Sequence, residues 1–274
     1  MDKTDFITTY LDRIGYAGPV NCDLATLRAI QRAHLFSVPF ENLDIMRDKP
    51  LCTDAEGLYR KIVLEHRGGI CYELNGSLAE LLRAIGFEVA IQSAGIASPM
   101  GAKNFDHMLL RVTIDGEGWL VDVGFGQGNF LEPIHLVLGQ PQLDPRGVYR
   151  IEKEPPSGVM SQSADALPTD TYYQVYRAPV VGPETPDGTE KLNYTFGDRP
   201  RTILDFVERW TTFAGPDSYF HSGSVIALDT PNGRITLTDK YLQITEGLEQ
   251  TRTNFEDPAD FTRCLKEYYG IVLG

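Results

Sequence analysis

Cys71, His107 and Asp122 have the side chains that covalent catalysis by a thiol requires. A nucleophilic cysteine needs a base within hydrogen-bond reach, and the base needs a carboxylate or amide that orients it. A histidine bound to an aspartate keeps its other ring nitrogen for the thiol. The sequence therefore predicts a Cys–His–Asp catalytic group, provided that the fold brings the three side chains together.

The stretch Glu65–Gly76 (EHRGGICYELNG) places Cys71 just after the pair Gly68-Gly69. Downstream, apolar residues recur at three- and four-residue steps, which predicts a helix that ends at Gly86. We expect Cys71 in its first turn, where unpaired N–H groups and the helix dipole stabilise a thiolate. The glycines are expected to allow a tight turn and close approach of another molecule. The alternative is a small buried hydrophobe at a helix start.

The predicted base and its partner lie on a predicted β-hairpin. Strands are expected at His107–Ile114 and Trp119–Val123, joined by a turn at Asp115-Gly116. Counting outward from the turn places His107 and Asp122 within about one residue of each other in register. A carboxylate inside the apolar second strand is costly unless it is paired. The alternatives are an aspartate that accepts backbone N–H bonds and a structural core histidine.

Metal, disulfide and dinucleotide sites are not predicted. The four cysteines show no CxxC pairing, and a Cys–His–Asp zinc site would lack a fourth ligand. The segment Gly124–Gly128 follows a strand, but no helix follows it, so it does not match a dinucleotide-binding loop. Its glycines are expected to let a substrate approach, with Phe125 as an aromatic face. The remaining histidines are predicted to be surface or structural residues: His34, His66, His135 and His221.

Hydrophobic patterns divide the chain into three regions. Residues 1–83 are predicted to be helical, with Asp5, Asp23 and Asp54 as helix caps. Residues 84–195 are predicted to form an antiparallel sheet or small barrel, with further strands at Val148–Ile151 and Thr171–Tyr176. Residues 196–274 have mixed α/β character and are expected to lie over the middle region.

The composition indicates a soluble globular protein. The 274 residues are 42% hydrophobic and 23% charged, with a formal net charge of −13, which disfavours nucleic-acid binding. The N-terminus does not resemble a signal peptide, and no stretch approaches the roughly 20 apolar residues of a spanning helix. We therefore expect a cytoplasmic protein without a membrane partner, in which a thiol stays reduced.

Glu41 and Arg67 suggest a second unit close to the thiol. Arg67 stands four residues before Cys71, and Glu41 follows the second predicted helix. A buried ion pair between them would lock the Gly-Gly turn. The alternative is two solvated surface charges.

Several long motifs resemble the arylamine N-acetyltransferase family. They are RGGICYELN at 67–75, FDHMLLRV at 105–112, WLVDVGFG at 119–126, RIGYAGP at 13–19 and RAHLFSVPFENLD at 32–44. The resemblance is close over roughly the first half of the chain and looser over the second.

The resemblance implies an α+β fold of three subdomains, with a catalytic core similar to that of cysteine proteases and transglutaminases. They would be an N-terminal helical bundle (1–83), a central antiparallel β-barrel (84–195) and a C-terminal α/β lid (196–274). It also implies ping-pong acetyl transfer from acetyl-CoA, through a thioester on Cys71, to an arylamine or hydrazine. His107 would move protons and Asp122 would orient it.

Further roles follow from the resemblance alone. Phe40 and Phe125 would line the amine pocket, and Gly126 would lie near bound CoA. Arg13, Glu41 and Arg67 would form a structural charge network. No tightly bound cofactor is implied, and a monomer or weak homo-oligomer is expected.

The last third departs from the family pattern NWYTSTxPxSxF. Residues 209–220 read RWTTFAGPDSYF, so that Phe213-Ala214 replaces the Ser-Thr pair in a segment expected to shape the substrate cleft. An amide synthase that releases a polyketide as a macrolactam would use the same triad. A protease or transglutaminase, or a non-catalytic CoA-binding protein, are further alternatives.

Overall fold

The computed structural model describes residues 2–97, 102–126, 128–163, 166, 169–179 and 189–273 as a mixed α+β protein. Its α-helices are α1 (Lys3–Arg13), α2 (Leu24–Ser37), α3 (Ala55–Tyr59), α4 (Cys71–Ile85), α5 (Val207–Phe213) and α6 (Pro258–Tyr269). A π-helical turn, Arg60–Leu64, follows α3 directly, and short 3-10 turns occur at Ile45–Arg47, Ile203–Phe206 and Tyr219–His221. The expected α+β class is confirmed.

Aspartate side chains begin the first three helices. The carboxylates of Asp2, Asp23 and Asp54 each accept a hydrogen bond from a first-turn backbone N–H, which satisfies one of the unpaired donors there. The predicted caps at Asp23 and Asp54 are confirmed. The predicted cap at Asp5 is wrong, because Asp2 occupies that position and Asp5 lies inside the first turn of α1.

The middle of the chain forms one antiparallel sheet that is nearly closed into a barrel. Its strands are β2 (Glu88–Ile96), β3 (His107–Ile114), β4 (Glu117–Val121), β5 (Ile134–His135), β6 (Gln142–Asp144), β7 (Gly147–Lys153), β8 (Tyr172–Pro179) and β9 (Lys191–Gly197). They are ordered β5-β4-β3-β2-β9-β8-β7-β6. The amide of Gln142 accepts the N–H of His135 and donates to its carbonyl, each at 2.8 Å, so the two edge strands are joined by a side chain.

The hairpin that carries His107 has the predicted turn but a different register. Asp115 and Gly116 have φ values of 52° and 80°, as a two-residue hairpin turn requires. The β3–β4 ladder ends where Leu110 pairs with Val121, so Asp122 is the first residue after β4 and not part of a strand. Continuing that register leaves Asp122 two residues away from His107, instead of about one. Alternate residues share a face, so the two side chains still meet as diagonal neighbours.

The second sheet combines one short strand from the N-terminal helical region with four strands from the C-terminal region. It consists of β1 (Phe40–Glu41), β10 (Val225–Thr230), β11 (Gly233–Thr238), β12 (Tyr241–Glu246) and β13 (Glu249–Asn254), hydrogen-bonded in that order. Apolar residues of α6 pack on it in a core that is separate from those of the helical region and the barrel. The helices and barrel are thus tied to the C-terminal region through the short strand β1.

The division of the chain at residues 83 and 195 stays a prediction. α4 ends at Ile85 and β9 ends at Gly197, so each element extends two residues beyond a predicted boundary. Within the described residues, no helix is long and apolar enough to cross a membrane.

Candidate active site

Cys71 is the first residue of α4 and is 6% exposed. The preceding residue, Ile70, has an extended backbone, and its N–H donates to Oε2 of Glu73 at 3.3 Å. The free N–H groups of this first turn and the positive end of the helix dipole lie beside the sulfur. The predicted position of Cys71 in the first turn of a helix is therefore confirmed.

The pair Gly68-Gly69 is buried and packs against the protein's own chain. A Cβ atom on Gly68 would lie 1.9 Å from the carbonyl oxygen of Pro39, and one on Gly69 would lie 2.5 Å from Oε2 of Glu73. Only glycine allows such close approach. The expectation that these glycines admit another molecule is wrong, because Pro39 and Glu73 of the same chain occupy the space beside them.

His107 and Asp122 form a buried hydrogen-bonded pair. Nε2 of His107 lies 2.7 Å from Oδ2 of Asp122, and each side chain is 1% exposed. His107 opens β3, and Asp122 directly follows β4. The pairing leaves Nδ1 of the imidazole for another partner.

The protonation of His107 is determined by both neighbours. Burial lowers its pKa, but the charge of Asp122 and the hydrogen bond to it raise the pKa more, and a hydrogen bond to Cys71 adds to them. The net effect raises the pKa of His107 to about 10. The imidazole of His107 therefore keeps its proton to a higher pH in the folded protein than it would in the unfolded chain.

The side-chain amide of Asn75 donates a hydrogen bond to the carboxylate of Asp122. Its Nδ2 donates to Oδ1 of Asp122 at 3.0 Å and to the carbonyl of Met108 at 2.7 Å. Its Oδ1 accepts the N–H of Val123 at 3.0 Å, and the N–H of Gly124 donates to Oδ1 of Asp122 at 2.9 Å. Each carboxylate oxygen thus has a partner, which offsets the cost of burying the charge.

Sequence analysis missed both Asn75 and the packing role of Gly124. Asn75 lies four residues after Cys71 and therefore on the same helix face, so an amide on that buried face was an available signal. A Cβ atom on Gly124 would lie 2.6 Å from Cα of Cys71. Gly124 thus lets the segment after β4 lie directly against Cys71.

A family model described as N-acetyltransferase matches residues 23–274. The arylamine N-acetyltransferase of Mycolicibacterium smegmatis is 32% identical over 97% of this chain and 91% of its own length. The chain belongs to the arylamine N-acetyltransferase family. Arylamine N-acetyltransferase 1 of Homo sapiens is 30% identical, over 97% of this chain and 94% of that protein.

Solved structures agree with this assignment over the whole chain. The structure of the M. smegmatis arylamine N-acetyltransferase covers 100% of this chain and 93% of its own, with a TM-score of 0.83 and 30% identity. The structure of the M. tuberculosis enzyme covers 97% and 93%, with a TM-score of 0.82 and 27% identity. The chain is therefore an enzyme of the arylamine N-acetyltransferase class, and the resemblance extends through its second half.

Of the two aromatic residues implied by the arylamine N-acetyltransferase resemblance, Phe125 lies beside His107 and Phe40 lies against Gly126. The ring of Phe125 lies edge-on to the imidazole at 5.3 Å between centroids. Phe40 covers Gly126, where a Cβ atom would lie 3.3 Å from Cγ of the ring. Gly126 also has a φ of +74°, a conformation that favours glycine. The ring of Phe40 and the loop after Asp122 are therefore in contact and form one surface.

Tyr194 is a further neighbour of the site that sequence analysis missed. Its ring lies 5.5 Å from the imidazole of His107 and 5.3 Å from the ring of Phe125. Burial and then the charge of Asp122 raise the pKa of Tyr194 well above its usual value, so that the phenol stays neutral. It lies on β9, a strand that was not predicted.

The charges beneath Cys71 form a buried network. Nε and Nη2 of Arg67 lie 2.9 and 2.7 Å from Oε1 of Glu41, and Nη2 also lies 2.9 Å from Oδ1 of Asp44. Nζ of Lys61 lies 2.7 Å from both Asp44 and Glu73. The alternative of two solvated surface charges for Glu41 and Arg67 is wrong. Sequence analysis did not find Asp44, Lys61 or Glu73, whose contacts depend on the tertiary fold.

Arg13 supports the same region through backbone carbonyls. Its Nε donates to the carbonyl of Ile62 at 3.0 Å, and its Nη1 donates to that of Ser37 at 2.8 Å. Its Nη2 reaches the carbonyl of Arg67 at 3.5 Å. Arg13 thus joins α1 to the end of α2 and to the segment before Cys71.

The other histidines lie apart from this arrangement. His34 is fully buried on α2, where Nε2 lies 3.2 Å from the hydroxyl of Tyr10 and burial lowers its pKa to about 3. His135 lies in β5, and its ring stacks on Trp119 at 4.5 Å between centroids. Within the described part of the chain, no group of His, Cys, Asp and Glu could hold a metal ion.

We predict that Gly124→Ala strongly reduces arylamine N-acetylation. The new methyl group must displace the backbone of Cys71, which moves the sulfur away from His107. A misplacement of this size costs on the order of 10²-fold in kcat/KM.

The matched control is Gly118→Ala in β4, where the new Cβ would meet the side chain of Leu136 at 3.3 Å. That flexible side chain can adjust, so activity should stay close to wild type. Near-normal kcat/KM in a folded Gly124→Ala protein would contradict the packing argument.

We also predict that stability declines between about pH 7 and about pH 10. Folded His107 keeps its proton up to a pKa of about 10, whereas an unfolded imidazole titrates near 6.5. Its stabilising contribution is complete below the unfolded pKa and is lost as the pH rises through the folded one.

Urea unfolding at several pH values measures this decline, and His107→Gln should flatten it. An unchanged pH slope in His107→Gln would show that other groups cause the decline.

Proposed function

We propose that the chain transfers an acetyl group from acetyl-CoA, through a thioester on Cys71, to the nitrogen of an arylamine or arylhydrazine. The observation that carries this proposal is the buried His107–Asp122 pair, in which Nε2 of His107 lies 2.7 Å from Oδ2 of Asp122 and Nδ1 is left for the thiol of Cys71. Family membership supports acetyl transfer to arylamines. The arrangement of these side chains supports the covalent route.

The first half-reaction acetylates the thiol. The Cys71 thiolate attacks the carbonyl carbon of the thioester, and a tetrahedral intermediate forms. Its collapse breaks the bond to the CoA sulfur, which receives the proton held by His107 and leaves as a thiol. Acetyl-Cys71 and a neutral imidazole remain.

The second half-reaction regenerates the enzyme. The acceptor nitrogen attacks the carbonyl carbon of acetyl-Cys71, while His107 takes a proton from that nitrogen. The carbon–sulfur bond breaks, and the sulfur returns to a thiolate beside the imidazolium. Asp122 orients the ring throughout.

The surrounding residues fit an aromatic acceptor. The ring of Phe125 lies next to the imidazole, and the ring of Phe40 lies against Gly126 in the same loop, so both offer apolar surface to a ligand. We assign these three residues to substrate binding, with Gly126 near the CoA thioester. Arg13, Glu41 and Arg67 act through structure, because they hold the segment that leads to Cys71.

Acetyl-CoA is a co-substrate in this proposal and not a bound cofactor. The four cysteines are free thiols, and a reduced Cys71 suits the cytoplasm, where we place the enzyme as a monomer or weak homo-oligomer.

The decisive experiment is an intact-mass measurement after incubation with acetyl-CoA alone. We expect one acetyl group, mapped to Cys71 by peptide mass spectrometry and absent in Cys71→Ala. An arylamine or arylhydrazine should then remove the adduct and appear as the N-acetyl product.

Other results would overturn the proposal. CoA binding without an adduct would indicate a binding protein. An adduct that no arylamine or hydrazine discharges would favour an amide synthase or another acyl acceptor.

We further predict that Asp122→Asn lowers kcat by orders of magnitude, about 10⁴-fold as in other triads. The amide keeps the shape of the side chain but favours the wrong imidazole tautomer. Circular dichroism and thermal unfolding would check that the variant folds. A folded variant with near-normal kcat would remove Asp122 from the catalytic group.

A further inference from the structure

The turn that leads into His107 has a strained residue at Phe105. Its φ is +65°, a left-handed conformation that is unfavourable for a bulky side chain. Such strain persists only where the surrounding structure holds it in place. Because Phe105 stands two residues before His107, the contacts that hold this turn also fix where β3 begins.

Contacts from three sides hold Phe105. The hydroxyl of Tyr72 donates to its carbonyl, and Oδ1 of Asn104 accepts its N–H at 3.2 Å. The guanidinium of Arg201 lies over its ring at 5.2 Å. Tyr72 is the residue directly after Cys71, so one of these contacts connects the nucleophile's helix to the turn that carries the base.

Arg209 of α5 holds the next residue of the turn, Asp106. Its Nε donates to Oδ1 of Asp106 at 2.9 Å, and Nη2 makes a second hydrogen bond to the same oxygen. The other carboxylate oxygen accepts the N–H of Lys103 at 2.9 Å, which closes the turn. The side chains of Asp106 and Arg209 are 11% and 21% exposed, so solvent screens this pair less than a surface pair.

The contacts form a closed circuit through the aromatic ring of Phe213. The guanidinium of Arg209 lies 4.8 Å above this ring, which stacks on Tyr72 at 6.0 Å with an interplanar angle of 20°. We call Tyr72, Phe105, Asp106, Arg209 and Phe213 the α5 clamp. It joins the residue after Cys71 to the residue before His107.

We propose that Arg209 is a positioning residue, which acts through Asp106 to fix the imidazole of His107 relative to the sulfur of Cys71. The proposal rests on the proposed function of these two residues. Without the guanidinium, the Asp106 carboxylate loses its charged partner and the strained turn can relax. A shift of the imidazole away from the sulfur would slow every step that moves a proton between them.

The test compares Arg209→Met with Arg209→Lys. Methionine keeps an unbranched side chain that can pack on Phe213, and lysine keeps the charge but not the planar, two-donor geometry. The matched control is Arg252→Met, because Arg252 lies on the distant strand β13 with its guanidinium over Tyr241.

Two rates should be measured at peptide resolution for Cys71: acetylation by acetyl-CoA in a single turnover, and alkylation by iodoacetamide. We expect both to fall about tenfold in Arg209→Met and less in Arg209→Lys. The half-saturating concentration of acetyl-CoA and the melting temperature should change little, and Arg252→Met should match wild type. A purely structural role would lower the folded fraction and leave the rate per folded molecule unchanged.

A double-mutant cycle with Asp106→Asn keeps the proposal falsifiable if Arg209→Met is unstable. The two substitutions should be strongly non-additive in the alkylation rate, because both break one contact. Rates within twofold of wild type in Arg209→Met, or additive effects, would overturn the proposal. If wild type is not acetylated at all, the proposed function fails, whereas the alkylation rates still decide the role of Arg209.

Discussion

The buried carboxylate of Asp122 is the constraint on which the active site depends. A charge that is 1% exposed is unstable unless its oxygens are paired, and the partners come from separate parts of the chain. His107 comes from the start of β3, Asn75 from the middle of α4, and the N–H of Gly124 from the loop after β4. Satisfying this single carboxylate therefore requires the helical region and the barrel to dock in one way.

The same docking places the sulfur. Asn75 is one helical turn beyond Cys71, so a helix that presents its amide to Asp122 also presents the thiol to the same side. Gly124 then allows the segment after Asp122 to touch Cα of Cys71. Hydrogen bonding and close packing thus specify the same geometry, which leaves little freedom for the distance between thiol and imidazole.

The buried charges below α4 determine how the chain reaches Cys71. Three carboxylates (Glu41, Asp44 and Glu73) surround two cations (Lys61 and Arg67). Breaking one such pair leaves an uncompensated buried charge, which costs about 3–5 kcal/mol. Gly68 and Gly69 pass through the narrow space beside this network, and this explains why side chains are excluded there.

Local signals in the sequence were sufficient for much of this fold. The caps at Asp23 and Asp54, the helix that begins at Cys71 and the hairpin turn at Asp115-Gly116 each depend on neighbouring residues. Contacts between distant residues were not predictable in the same way. The strand β9 (KLNYTFG) has apolar residues at alternate positions (Leu192, Tyr194 and Phe196), so a strand signal was present there and was overlooked. The strand β13 (EQTRTN) is wholly exposed and has no apolar residues to mark it.

The candidate site was likewise predictable only where neighbouring residues determine its structure. The types and order of Cys71, His107 and Asp122 were visible in the sequence. The two-residue turn at Asp115-Gly116 pairs Ile114 with Glu117, and this register places Asp122 two residues from His107 instead of about one. The partners of Asp122 and Arg67 come from elements whose docking no local pattern specifies. Tyr194 could not be placed without its strand.

The short strand β1 shows why the C-terminal sheet matters to the chemistry. Phe40 and Glu41 are adjacent in an extended strand, so their side chains point in opposite directions. Phe40 covers Gly126, while Glu41 binds Arg67 in the buried network. Pairing with Ala227 and Ile226 of β10 fixes both orientations at once. A displacement of the C-terminal sheet would therefore move the ring over Gly126 together with the carboxylate that supports the segment before Cys71, so neither can change without the other.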